Sequence, residues 1–306
     1  MQGKKAGTLG SFMKASVAVT GSSGQLGREL CRRLGEAAIP LTRDTLDLAD
    51  PESTAATLVS LRPRVVINCA AWTAVDAAES EPDRCFRVNA TAVESLASVC
   101  GAMGCLLVQI STDYVFGADT CRREPYRETD VTGPVSVYGA SKLAGEEAAR
   151  WCHDHLVIRT CGLYSRSPTG PVRGRTFADT MIVLGRAVAD RLPGAPAVLR
   201  VVDDQHVTPS YVPHVADAIL RLIDGGRRGT FHVVNAGATT WHGFATRVLE
   251  AAGIDIPIKA IPSSEYTTPA RRPGFSVLST ARLATTGIVL PPWQDGVAAH
   301  AAVDAA

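Results

Sequence analysis

Near the middle of the chain, Val137–Arg150 reads VYGASKLAGEEAAR and places Tyr138 four residues before Lys142. On a helix, residues i and i+4 share one face, so the two side chains would enter one site. A free tyrosine, with a pKa of about 10, is a poor proton donor near neutral pH. A neighbouring ammonium favours the phenolate and lowers that value. The pair could therefore protonate a carbonyl oxygen as a hydride reaches its carbon. Placed proton transfer of this kind contributes roughly 10²–10⁴-fold to a rate. The spacing is common by chance, so its weight comes from the segments around it.

Two such segments stand upstream. TGSSGQLG carries Gly21, Gly24 and Gly27 between an apolar run and an amphipathic one. Glycines at that spacing let the chain turn tightly and let a pyrophosphate approach the free N–H groups of a helix start. STDYVF, Ser111–Phe116, closes another apolar run. The carboxyl ends of parallel strands line the ligand crevice. Thr112 is read there as a hydroxyl for a substrate carbonyl, with Asp113 and Tyr114 as further substrate contacts. After the second strand, IPLTRD, an acidic residue would bind the ribose 2′-OH of NAD and a basic one the 2′-phosphate of NADP. Arg43 stands at that place with Asp44 beside it, which favours NADPH and leaves NADH open.

The elements that must hold these residues alternate. Buried strands are predicted at 15–21, at IPLTRD, at 64–72, at 105–116 and at 155–164. Helices are predicted from GQLGRELCRRLGEAA, with Leu26, Leu30 and Leu34 on one face, and from the Asp50–Pro51 start. Two more are predicted at 90–104 and from about Ser141. Asp50 is a good N-cap and Pro51 suits the first turn. Continuously apolar strands alternating with helices indicate a parallel sheet covered on both faces. The fold class is α/β, a Rossmann-like doubly wound parallel sheet with a smaller C-terminal substrate-binding lobe. Residues 1–14 read as a disordered extension, with Met13 as a candidate start. Residues 15–164 read as the NAD(P)-binding domain. Residues 165–306 read mainly as the substrate lobe, with some chain returning to the first domain.

Bulk properties narrow the class. The 306 residues are 46% hydrophobic and 20% charged, with a formal net charge of +1. No basic run recruits nucleic acid or an anionic membrane, and no apolar stretch is long enough to span a bilayer. The eight cysteines contain no Cys-x-x-Cys and read as reduced, mostly buried residues of a cytoplasmic protein. Cys152, His153 and His155 lack the second ligand cluster that a zinc site needs.

GSSGQLGREL, VVINCAAWTAVDAAESEP, STDYVFGAD, VYGASKLAGEE, VVDDQ and TPARRPGFSVLS together resemble the extended short-chain dehydrogenase/reductases, and within them the dTDP-4-dehydrorhamnose reductase family. The resemblance runs from about Ala15 to Trp293. It implies a catalytic triad of Thr112, Tyr138 and Lys142, and a pyrophosphate loop of Gly21, Gly24, Gln25, Leu26 and Gly27. It further implies adenine contacts at Asp47 and Leu48, and ribose and nicotinamide contacts at Ala70, Ala71 and Thr73. Arg271 and Arg272 fall near the diphosphate of the nucleotide sugar. The implied partner is a dTDP-linked 4-keto-6-deoxy sugar, reduced at C4 by NADPH, with a homodimer left open and no nucleic acid or membrane partner.

Three positions depart from the family pattern. Gly162 replaces a tryptophan that packs against the sugar, the loop after Tyr164 is longer, and Thr176 replaces an asparagine. These departures keep open a reductase or epimerase acting on another nucleotide-linked keto sugar. A non-catalytic NADP-binding subunit, like the regulatory subunit of methionine adenosyltransferase, is the remaining alternative. Some family members hold a metal at a dimer contact through glutamates. Only Glu29 matches in part, so no essential metal is expected.

Overall fold

The computed structural model describes residues 16–165 and 176–302. The extension at 1–14, with Met13, and most of the loop after Tyr164 lie outside the described residues. Six strands form one parallel sheet: β1 (Val17–Thr20), β2 (Ala38–Leu41), β3 (Val65–Asn68), β4 (Leu106–Thr112), β5 (His155–Thr160) and β7 (Gly229–His232). Their order is β7-β5-β4-β3-β1-β2. The chain steps outward from β1 to β2, then returns to place β3 on the other side of β1. The crevice where this reversal occurs is where open α/β sheets bind ligands.

Alternation along each strand builds two cores. Val17, Val19, Val65, Ile67, Val108 and Ile158 face one layer, where they meet Leu26, Leu30 and Leu34 of α1 (Gln25–Leu34). Helix α6 (Val212–Asp224) covers the same face. Ala18, Val66, Leu107 and Val157 face the other layer, formed by α2 (Pro51–Leu61), α3 (Ala92–Met103) and α4 (Val137–Ala149). Strands buried on both faces need apolar residues at every position, which explains their unbroken hydrophobicity. Asp50 caps α2 as its sequence suggests, accepting from Ser53 N at 3.0 Å.

Two local expectations change. Helix α4 starts at Val137, a turn before Ser141, because the Ser136 side chain accepts from Gly139 N and caps it there. The stretch before α3 is helical as well. Short turns at Val75–Ser80 and Pro82–Phe86 lead through a wide π-type turn, Arg87–Thr91, into α3.

A third core gathers α5 (Phe177–Ala189), α7 (Trp241–Ala251), α8 (Trp293–Ala302) and β6 (Leu199–Val202) around Tyr164, Ile182, Phe244 and Trp293. β6 pairs in parallel with β8 (Ile258–Ile261). All eight cysteines are free thiols; five are buried and Cys121 is exposed. Among the described residues no helix is long and apolar enough to cross a membrane.

Candidate active site

The loop from β1 to α1 is shaped by what it must pass. Gly21 has φ +60° and lies against the end of β3, where a Cβ would sit 2.6 Å from Ala70 N. No L side chain fits both constraints. Gly24 occupies the N-cap of α1 without a side-chain cap, and the first turn carries no acid. The free N–H groups of α1 are therefore left for an anion. The Ser22 hydroxyl is buried beside them with no partner. An uncapped helix start and an orphaned hydroxyl together suit the pyrophosphate of a dinucleotide. Leu26 and Gly27 are buried beneath the loop, and Gln25 Oε1 accepts from Ser165 at 3.2 Å.

Around this loop the other candidates fall as follows. Ala70 and Ala71 are half-buried at the end of β3, with Thr73 exposed beyond them. Leu48 is buried, while Asp47 is exposed and accepts from Ala49 N. Arg43 is exposed just past β2. Sequence reasoning missed Asn89. Its Oδ1 accepts from Trp72 N at 2.8 Å, and its Nδ2 donates to Trp72 O at 3.1 Å and to Ser141 Oγ at 2.9 Å. One side chain thus pins the segment after β3 to α4. It sits inside the turn that the sequence did not reveal.

Tyr138, near the start of α4, meets Thr112 at the end of β4, and Lys142, one turn further along α4, reaches the same strand at Ile110. Thr112 is buried, and the Tyr138 hydroxyl hydrogen-bonds to it. Burial pushes the Tyr138 phenol up. Tyr114 packs edge-on against Tyr138, with ring centroids 5.7 Å apart. Lys142 is 3% exposed, and burial lowers its pKa to about 8. Its ammonium donates to Ile110 O at 2.5 Å. That carbonyl ends a buried polar ladder across the sheet. Thr20 donates to Asn68 at 2.6 Å, Asn68 to Gln109 at 2.7 Å, and Gln109 to Ile110 O at 3.1 Å. The ladder links the strand before the glycine turn to the lysine.

The two arginines separate. Arg272 forms a two-pronged ion pair with Asp76, at 3.1 and 2.9 Å, and its guanidinium also reaches Thr268 and Ala270 O. That pair holds the Asp76 carboxyl below its usual range. Arg271 is exposed and lines an open cleft of about 850 Å³, together with Arg272, Arg123, Asp203, His206 and Tyr266. Glu29 is occupied by Arg32 and Arg33, each at 2.7 Å. Among the described residues no group of three or more His, Cys, Asp or Glu could hold a metal ion.

A phenol set against a strand-end hydroxyl, a few residues from the reversal point of a doubly wound sheet, is the arrangement of an extended short-chain dehydrogenase/reductase. The comparisons take this further. The family model described as the RmlD substrate binding domain matches residues 13–305. A dTDP-4-dehydrorhamnose reductase of Burkholderia thailandensis is 39% identical over 302 residues, covering 92% of this chain and 96% of that protein. The crystal structure of a dTDP-4-dehydrorhamnose reductase from Clostridium acetobutylicum superposes with a TM-score of 0.87 at 33% identity, covering 95% of this chain and all of that one. The Bacillus anthracis reductase, solved in complex with NADP, gives 0.85 at 32% identity over 94% of this chain and 98% of that one. The chain belongs to the dTDP-4-dehydrorhamnose reductase family.

Proposed function

We propose that this protein is a cytoplasmic NADPH-dependent reductase that converts dTDP-4-dehydrorhamnose to dTDP-L-rhamnose. The observation that carries the reading is Tyr138 set against Thr112, with Lys142 bonded to the same strand, together with a helix start left uncapped for a pyrophosphate.

Gly21, Gly24, Gln25, Leu26 and Gly27 would hold the cofactor pyrophosphate, and Asp47 and Leu48 the adenine end. Ala70, Ala71 and Thr73 would flank the nicotinamide end, with Arg43 on the 2′-phosphate. When bound, the reduced nicotinamide supplies the hydride. Tyr138 gives its proton to the oxygen that becomes the C4 hydroxyl. Thr112 holds the Tyr138 hydroxyl in place. Lys142 carries a positive charge at pH 7, which opposes the cost of leaving a phenolate in a desolvated site. The segments from 165 onward form most of the substrate side. Arg271 and Arg123 at the cleft suit a diphosphate, because a guanidinium makes paired, charge-assisted bonds to phosphate oxygens. Arg272 shapes the cleft wall through Asp76.

NADPH oxidation at 340 nm tests this reading, with dTDP-4-keto-6-deoxyglucose offered with and without a 3,5-epimerase. Oxidation only with the epimerase is the expected result. Oxidation without it would assign another deoxysugar, and none in either case would refute the activity.

A further inference from the structure

Asp113 is 2% exposed, yet hydroxyl donors from two segments far apart in the chain converge on its carboxyl group. Thr112 Oγ1 donates to Oδ1 at 3.1 Å from the end of β4. Ser276 Oγ donates to Oδ2 at 2.5 Å from the stretch that follows Arg272. Burial raises the carboxyl pKa above its ordinary value, and the Ser276, Cys161 and Thr112 side chains pull it back only in part. Each oxygen accepts from a hydroxyl, the bonding pattern of a carboxylate.

The hydrogen count at Thr112 then closes. A threonine hydroxyl has one proton and two lone pairs. The proton is directed at Asp113. One lone pair accepts from Tyr114 N at 3.2 Å. The other remains for the Tyr138 hydroxyl, which must then be the donor in that pair. Ser276, itself 1% exposed, ties this arrangement to the chain that carries the Arg272–Asp76 clamp.

We propose that Asp113 is a positioning residue for Thr112. As a carboxylate it takes the Thr112 proton, so that Thr112 turns a lone pair to the Tyr138 hydroxyl and fixes where the phenol proton rests until a carbonyl oxygen arrives to take it. The inference rests on the reductase reading above and deepens it.

A double-mutant cycle on NADPH oxidation tests the inference. Thr112→Val removes the hydroxyl and should lower kcat by roughly 10–100-fold, as loss of one hydrogen bond to a reacting group does. Asp113→Ala should lower kcat similarly, with the KM for the sugar within about threefold. The double variant should be no worse than Thr112→Val, because one acts through the other. Asp113→Asn, which keeps an acceptor oxygen, should recover most of the loss. Effects that multiply, or a raised KM at unchanged kcat, would overturn the proposal. If Asp113→Ala does not fold, Ser276→Ala replaces it. A loss of equal size with and without Thr112→Val overturns the proposal, and a loss confined to the Thr112 background supports it. A second readout needs no activity. In the infrared difference between ¹³C-aspartate-labelled wild type and Asp113→Asn at pH 7, a carboxylate band is expected. A neutral carboxyl band refutes the inference. Should the wild type reduce no dTDP sugar, the reductase reading fails and the infrared test still decides the role of Asp113.

Discussion

Lys142 is buried to 3% and its pKa falls from 10.5 to about 8, mainly because burial penalises the charged form. One pKa unit corresponds to about 1.4 kcal/mol, so keeping this ammonium charged costs the folded state about 3 kcal/mol. The sign follows from the protons bound. Between pH 8 and 10.5 the unfolded chain holds more protons on this group than the folded chain, so its contribution to stability rises with pH. Below pH 8 the whole penalty is present. Lys142→Met fills the same volume without charge. The Ile110 carbonyl is not orphaned in the variant, because Gln109 Nε2 still donates to it at 3.1 Å. The apo variant should therefore be about 3 kcal/mol more stable than wild type at pH 7, a rise in Tm of roughly 5 °C for a chain of this length. The gap should close as pH approaches 10. Urea unfolding of both proteins at pH 7 and pH 10 measures it, and turnover should fall at the same time. Equal stabilities at pH 7, or a gap that does not change with pH, would refute the view that Lys142 is held charged against its surroundings for catalysis.

Three further outcomes follow from the site. Tyr138→Phe should lose about 10²–10⁴-fold in kcat, the typical value of a placed proton donor, while NADPH fluorescence titration gives a Kd near that of wild type. Arg43→Ala should raise the KM for NADPH about tenfold or more and leave that for NADH unchanged, because one charge-assisted hydrogen bond is worth about 1.5–3 kcal/mol. Gly162 has φ +49°, and a Cβ there would lie 3.4 Å from the Trp241 ring, which is ordinary contact. Gly162→Ala should therefore cost only the left-handed backbone penalty of about 1–2 kcal/mol, read by thermal unfolding. A much larger loss would mean that the Trp241 ring cannot yield.

What the sequence revealed and what it hid divide along one physical line. The glycine turn, the Asp50 cap and the Tyr138–Lys142 pair are local: each is fixed by residues within a few positions of one another. The sheet was legible because strands buried on both faces must be apolar throughout, as in Val65–Asn68 and Leu106–Thr112. The bonds that set the site's chemistry are not local. Asp113 meets Ser276 across 163 residues, and Asp76 meets Arg272 across 196. Nothing in either segment's composition marks its partner. An aspartate after a strand-end threonine reads equally well as a substrate ligand, and an arginine pair as a phosphate clamp. Only the return of the chain past Arg272 shows that, of two arginines lining one cleft, Arg272 is committed to Asp76. The same return brings Ser276 under Asp113. The segment that forms the wall of the cleft is therefore linked, through Asp113 and Thr112, to the Tyr138 phenol. If the proposed roles hold, displacement of that wall by a poorly fitting substrate should be felt at Tyr138 as a fall in kcat rather than a rise in KM alone.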